Sequence, residues 1–322
     1  MEKISIIIPT YNSSQTIGQL LTSIETIKEC EIIVVDDKSQ ASEYEKLKEI
    51  CFDYPNVILL QNSSGQKGAG VCRNIGILQA TGEWLLFADS DDYFVSDAVR
   101  VLNQYRNDDT SDIIYFKPTS IDITTGELAT RHTNYAKLVT DYLAELDLFH
   151  ENRLRCFFEV PWSKLIRRGF VIDNNINFDE TIVANDILFS AKVGVLASKI
   201  SAINQVIYCV TASNRSLTAT DDFERKLIRY EAFLRRVRFL MDHLSEDSFK
   251  AIGYSKLQLF YGGLKIASFK VVSDYISQAN LSSLKLLPRA SWVVNRISSR
   301  VVLDPRQRRL RKIEKKRSSL KK

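Results

Sequence analysis

The feature that most constrains this chain is the alternation of β-type and helix-type runs over its first 116 residues. Residues 4–8 form a β-branched run ended by Pro9, the pattern of a strand buried on both faces. Ile17, Leu20, Leu21, Ile24 and Ile27 then recur at helical spacing within 14–27. Residues 31–35 read as a second buried strand, 42–51 as a polar helix and 57–60 as a third strand. A Gly/Ser loop over 62–70 leads into a helix at 71–80, a fourth strand at 83–88 and a further strand at 112–116. Such alternation with short loops implies an α/β fold, a mostly parallel doubly wound sheet with helices on both faces. Ligands of such sheets bind outside the carboxyl ends of the strands, so the polar residues just after each strand are the informative ones.

The pattern becomes irregular over 117–180 and helical again over 223–244 and 249–276, with a soft boundary near 218. Three units follow: an α/β domain over 1–218, a helical C-terminal region over 219–304 and a basic tail over 305–322. At 45% apolar and 26% charged residues, the chain carries enough apolar surface to fold, which excludes bulk disorder. No apolar run reaches 18 residues and the N-terminus lacks signal-peptide features, so a cytoplasmic protein is expected. Five scattered cysteines without a CxxC pair, and three distant histidines, argue against zinc or a disulfide framework. Buried reduced thiols are the plain expectation.

Charge is divided unevenly. Residues 305–322 hold ten Lys/Arg against Glu314, a net of +9; with +5 for the whole chain, residues 1–304 carry −4. Just before that tail, Trp292, Val293, Ile297, Val301 and Val302 alternate with Arg289, Arg296 and Arg300 as in an amphipathic helix. The combination suits an anionic membrane surface, at about 1 kcal/mol per basic residue near it, and places the protein peripherally on the inner face of the plasma membrane. A core-packing helix followed by a solvated tail fits the same residues. Nucleic acid is not expected as a partner, because the body is acidic and no nucleic-acid module precedes the tail.

Three strand ends carry chemistry: Pro9-Thr10-Tyr11-Asn12, Asp36-Asp37-Lys38-Ser39 and Asp89-Ser90-Asp91-Asp92. A lone Asp there would be a turn or cap residue. An Asp-x-Asp after a buried strand, with a second acidic pair two strands earlier, points instead to a divalent cation that relieves the repulsion. Hard oxygen donors suit Mg²⁺ or Mn²⁺. The stretch Gly65-Gln66-Lys67-Gly68-Ala69-Gly70 matches neither a Walker A loop nor a dinucleotide fingerprint. Its glycines permit close backbone approach, and Arg73 beyond them is a suitable diphosphate partner near a helix N-terminus.

Together these segments resemble family 2 glycosyltransferases, the inverting group with the GT-A nucleotide-diphospho-sugar fold. The resemblance rests on residues 5–12, 33–39, Arg73-Asn74-Ile75-Gly76 and 80–92. It continues more weakly through 161–166 and 176–180 to Asn185-Asp186-Ile187-Leu188-Phe189, and is not visible beyond about 220. It implies that Pro9 and Tyr11 pack on the nucleotide base, that Asp37 accepts a base N–H, and that a UDP-sugar is the donor. Asn62 and Arg73 would lie near base and diphosphate, Asp89 would face the ribose, and Asp91 would ligate Mn²⁺ or Mg²⁺. The cation would act as a Lewis acid on the leaving diphosphate. The family's general base is the Asp of a Glu-Asp-like pair, here Asp186, 95 positions after Asp91. Asn185 stands where Glu or Gly is usual; Asp179 and Glu180 are alternative bases, and a helix N-cap is the alternative role for Asp186.

The reaction implied is hexosyl or N-acetylhexosaminyl transfer to a glycan or lipid-linked acceptor in bacterial surface-polysaccharide synthesis. Many relatives carry a Tyr-x-Tyr-Arg-like strand followed by a Gly/Asn-Ser turn; Ile207-Tyr208-Cys209-Val210 departs from it, leaving the rest of the metal shell open, with His132 a candidate on position only. A sugar nucleotidyltransferase would need its phosphate loop where Thr10-Tyr11-Asn12 stands. A non-catalytic GT-A scaffold binding a membrane is the remaining alternative.

Overall fold

In the computed structural model, which describes residues 3–27, 29–212 and 223–252, the first run becomes β1 (Ile4–Thr10), buried at every position. Two parallel strands flank it, β2 (Cys30–Asp36) and, after β3 (Val57–Gln61), β4 (Trp84–Phe87). β3 pairs in parallel outside β2. The sheet is completed by β5 (Tyr93–Phe94), β6 (Ile113–Asp122), β7 (Lys164–Arg167) and β8 (Ile200–Ala212), in the order β3-β2-β1-β4-β7-β6-β8-β5. β7 runs antiparallel to both β4 and β6, while β6 and β8 are parallel and β5 is antiparallel to β8. The parallel half is as expected, and the remainder makes the sheet mixed. Chain order reverses between β1 and β4, the switch point at which open α/β sheets leave a crevice.

Side-chain alternation along β1 divides the core in two. Ile4, Ile6 and Ile8 face α1 (Ile17–Ile24), α2 (Ala41–Phe52) and, beyond β4, α4 (Ala98–Tyr105). Ile7, with Ile33 and Val35 of β2, faces α3 (Ala69–Gln79) and the later helices α5 (Thr133–Ala144), α6 (Leu148–Phe157), α7 (Arg168–Asp173) and α8 (Ile187–Leu196). Each fully buried Ile or Leu contributes about 1.5–3 kcal/mol, so a central strand covered on both faces anchors the fold.

The stretch expected to be irregular, 117–180, is largely ordered. β6 continues through Asp122, with register shifts between Phe116 and Pro118 where proline cannot donate to the ladder. Tyr135, Leu138, Val139 and Tyr142 are the helical stripe of α5, a 3.6-residue period interrupted by no breaker. After the proposed boundary come α9 (Phe223–His243), as expected, and α10 (Glu246–Ala251). α9 packs against α8. The expected 253–276 helix segment, the amphipathic stretch 289–303, the basic tail and the boundary near 218 all lie outside the described residues. All five cysteines are free and buried, as expected.

The end of the sheet away from the crevice is locked by Glu31. Its carboxylate is 7% exposed and accepts from Ser5 Oγ, Thr81 N (2.6 Å), Thr81 Oγ1 (2.9 Å) and Gly82 N (3.1 Å). Burial alone would raise its pKa, but these donors outweigh it and hold the group below its ordinary value. We expect Glu31→Leu to lower stability by about 1–3 kcal/mol, because the donors lose their acceptor in a dry site. Glu31→Gln should cost less. Chemical-denaturation midpoints check this, and the acid side of the wild-type profile should show stability lost as pH falls through the depressed Glu31 pKa.

Candidate active site

At the end of β1, Tyr11 is 54% exposed, with Lys67 Nζ 5.4 Å from its ring centre. Asn12 ties this turn to the next: its N–H donates to Ser39 Oγ (2.8 Å), and its Oδ1 accepts from Gln40 N (3.0 Å). The acidic pair after β2 divides its labour. Asp36 is fully buried and closes its own turn, accepting from the Ser39 N–H (3.1 Å) and hydroxyl. Asp37 accepts from Asn62 Nδ2 (2.7 Å) and Gly68 N (2.7 Å). Asn62, 1% exposed, gives its other amide hydrogen to Gln66 O (2.9 Å) and accepts from Ser64 N and Oγ at Oδ1. All its side-chain valences are used by the loop and Asp37, so its visible work is to orient Asp37.

The Asp89–Asp92 turn after β4 is held from across the sheet by β8. Asp89 N–H donates to Tyr208 Oη (2.8 Å), and Tyr208 Oη donates to Asp92 Oδ2 (2.8 Å). Thr211 completes the lock, its N–H on Asp92 Oδ1 (2.7 Å) and its hydroxyl on Asp91 O (2.8 Å). Asp92 is 3% exposed; burial, then the charges of Asp89 and Asp91, push its pKa well up. Sequence reasoning gave Asp92, Tyr208 and Thr211 no role, although the Tyr208 strand was visible as a variant of a familiar pattern. Asp91 reaches solvent, yet desolvation of the turn and then the Asp89 charge still raise its pKa. His132 is engaged elsewhere, its Nδ1 2.7 Å from Ser120 Oγ.

Arg73 joins this turn to the second half of the chain. It lies within α3 at 5% exposure, not on a solvated face, and its Nη2 donates to Asp89 Oδ1 (2.6 Å). Its Nη1 donates to Asn185 Oδ1 (2.8 Å), and its guanidinium sits 5.3 Å from the Phe178 ring centre. Arg73 Nε is buried with no partner among the described residues. The glycines before Arg73 do make close approach possible, but to protein: a Cβ on Gly68, which has φ +130°, would lie 2.8 Å from Thr181 O. A Cβ on Gly70 would collide with Asp179 O and sit 2.8 Å from Asn185 Cβ. This stretch therefore seats the 179–185 loop.

Asp186 occupies the N-cap position of α8, but its side chain makes no capping hydrogen bond. Burial raises its pKa to about 6; Arg73 works against that, and Asp89 and Glu159 add to it. Nearby, Lys164 is 1% exposed, with Nζ on Phe158 O (2.7 Å); burial lowers its pKa to about 7, while Asp186 and Glu159 act to raise it. Asp179 is paired with Arg235 of α9 (2.9 Å), and Glu180 is exposed. Of the three carboxylates considered as base, Asp179 and Asp186 are both half-buried and Glu180 is exposed, and of the two half-buried ones only Asp186 lacks a salt bridge or capping bond.

The family and the fold are shared with known proteins. The family model described as "Glycosyl transferase family 2" matches residues 5–173. The chain belongs to glycosyltransferase family 2. Over 62% of its length it is 32% identical to a poly(ribitol-phosphate) beta-glucosyltransferase of Bacillus spizizenii, covering 30% of that protein. It is 30% identical to a cholesterol galactosyltransferase of Borreliella burgdorferi, with 94% of each chain covered. The chain thus spans about a third of the first relative and nearly all of the second. The crystal structure of S. aureus TarS 1-349 in complex with UDP-GlcNAc superposes with a TM-score of 0.63 at 23% identity, covering 89% of this chain and 77% of that one. The glycosyltransferase has the same GT-A fold. No helix among its described residues is long and apolar enough to cross a membrane.

One pH dependence follows from the uncapped Asp186. A carboxyl whose folded pKa is raised stabilises the fold fully below its unfolded pKa, and that contribution is lost as pH rises through the folded value. Asp186→Asn should therefore match wild type near pH 4 and exceed it above about pH 6, by on the order of 1–2 kcal/mol. Denaturation midpoints at pH 4.5 and 7.5 test this. A working N-cap predicts no gain at either pH, since Asn caps about as well as Asp.

Proposed function

We propose that this glycosyltransferase moves a hexose or N-acetylhexosamine from a UDP-sugar to a hydroxyl of a glycan or lipid-linked acceptor, with inversion, in the synthesis of a bacterial surface polymer or glycolipid. The observation that carries this reading is the Asp89–Arg73–Asn185 linkage, which puts the acidic turn of the donor side within two side chains of Asp186. The relatives' names support the two acceptor classes: a polymer of ribitol phosphate and a sterol. The UDP-GlcNAc held by TarS supports the donor class.

Tyr11 and Asp37 would meet the uracil base, Tyr11 by its exposed ring and Asp37 by the lone pairs its two donors leave. Pro9 sets the turn beneath them, and Asn62 fixes the Asp37 rotamer. Asp89 would reach the ribose and Arg73 the diphosphate. The donor set also fits a hard cation: Asp91 faces solvent and is crowded by Asp89, and one Asp89 oxygen is left over from Arg73. Asp91, with water and the diphosphate, would hold Mn²⁺ or Mg²⁺. Such an ion supplies Lewis-acid stabilisation of the departing diphosphate. Asp186 takes the acceptor proton as the hydroxyl oxygen bonds to the anomeric carbon from the face opposite the breaking bond to the nucleoside diphosphate. A base near pKa 6 is ionised at neutral pH and still stronger than an ordinary carboxylate. A non-catalytic scaffold has no use for an uncapped, desolvated Asp186, so catalysis is the better account of it.

The test is release of UDP from UDP-glucose, UDP-galactose and UDP-GlcNAc with Mn²⁺, using poly(ribitol phosphate) and detergent-dispersed sterol as acceptors. Asp186→Asn should keep donor binding and lose about 10²–10⁴ in turnover. Wild-type kcat/KM should fall below about pH 6 as Asp186 becomes protonated. A variant within a few-fold of wild type would remove Asp186 as the base. Asp91→Ala should abolish Mn²⁺-dependent UDP affinity without lowering the thermal midpoint; retained affinity would refute the metal role.

A further inference from the structure

We infer that Arg235 is a positioning residue for the general base: from α9 it holds, through Asp179, the loop that carries Asp186. This rests on the reading of Asp186 as the base. The loop over 179–185 is closed on itself, because Asp179 N–H donates to Asn185 O (3.1 Å). Asp179 therefore fixes, through one backbone bond, the residue immediately before Asp186. Inside the loop, Thr181 Oγ1 donates to Val183 O (2.9 Å), and Ala184 adopts φ +55°. A non-glycine residue in that region is strained and persists only where its surroundings over-determine it.

Two sets of contacts supply that restraint. α3 supplies one, through the close approach of Gly68 and Gly70 and the Arg73–Asn185 bond. α9 supplies the other, through Arg235 Nη2 on Asp179 Oδ2 (2.9 Å). α9 is itself fixed at this point by the next residue: Arg236, 2% exposed, pairs with Glu159 Oε1 (2.7 Å) and donates to Cys156 O (2.6 Å). Arg235 is thus delivered to Asp179 by a helix bolted to the end of α6. The Arg235 side chain is 40% exposed, and pairs of that kind add little to global stability. Its consequence is placement. The α9 helix, which follows the span matched by the family model, is by this account a working part of the catalytic centre.

Hydrogen exchange on the full chain reads the clamp without any substrate. Arg235→Gln should lower protection of the Asp179 amide about tenfold or more while the β1 and β2 amides stay protected; Arg235→Lys should restore it. In UDP release from the three UDP-sugars above, Arg235→Gln should reduce kcat about 10–100-fold at unchanged donor KM. Asp179→Asn should do the same, and the double variant should be no slower than either single one, as for residues acting as a unit. Unchanged Asp179 protection in Arg235→Gln overturns the inference, as do multiplying losses or a donor KM that rises as kcat falls. Asp186→Asn separates the two layers. If it turns over like wild type, the base reading fails, whereas a dead Asp186→Asn beside a fully active Arg235→Gln sinks the clamp alone.

Discussion

The site depends on one buried guanidinium. Arg73 lies in α3 with its two terminal nitrogens on different parts of the chain, Asp89 at 2.6 Å and Asn185 at 2.8 Å. Removing a buried cation from such a pair leaves an uncompensated carboxylate, a loss typically larger than the net worth of the pair. Arg73 also opposes the burial of Asp186, whose pKa would otherwise climb further. A planar fork with fixed donors can serve two acceptors at set angles, which a lysine ammonium cannot reproduce. The geometry of the Asp89 turn and that of the loop before Asp186 are thereby one problem with one solution.

Around that cation the carboxylates fall into distinct physical states. Asp36 and Glu31 are saturated by donors and build the frame. Asp92 is buried among like charges and bound to Tyr208 and Thr211, so it fastens the acidic turn to β8. Asp91 is crowded yet open to solvent, the condition in which a cation gains most. Asp186 is half-buried and uncapped, and burial outweighs the opposing Arg73 charge. A motif written as Asp-x-Asp-Asp thus contains one buried acid bound to protein and two that reach solvent, and burial is what separates them.

The donor half was legible because its signals are local. Buried strands announce themselves as β-branched runs, and the polar residues that follow them must lie at the carboxyl edge. The first four strands and the helices between them accordingly match the structure to within three residues at each end, and the segments carrying Tyr11, Asp37 and Asp89 converge; the fifth strand runs on past its expected end to Asp122. The second half was less legible. Tyr208 and Thr211 act on Asp92 from more than a hundred residues away, and Arg235 acts on Asp179 from 56 positions away. Such pairings leave no spacing pattern. The helical stripe of α5 was a different matter, since Tyr135, Leu138, Val139 and Tyr142 carried it openly. Gly68 and Gly70 were read correctly as places of close approach, but the approaching group is the 179–185 loop, a fact fixed only by tertiary packing.

On the function proposed above, the same contrast separates the nucleotide site from the surroundings of Asp186. Tyr11, Asp37, Asp89 and Asp91 stand at the ends of adjacent strands, rooted in a core whose central strand is buried at every position. A nucleoside diphosphate is one chemical object, and rigid strand ends suit it. Asp186 hangs instead on a closed loop with a left-handed alanine, restrained by α3 on one side and by α9 through Arg235. Loops and helix contacts can be rebuilt without disturbing a sheet, so the surroundings of Asp186 are open to change in a way that the strand ends are not. With no sheet hydrogen bonds to hold it, Asp186 sits only as firmly as the loop bond, the Arg73–Asn185 contact and the Arg235–Asp179 ion pair around it.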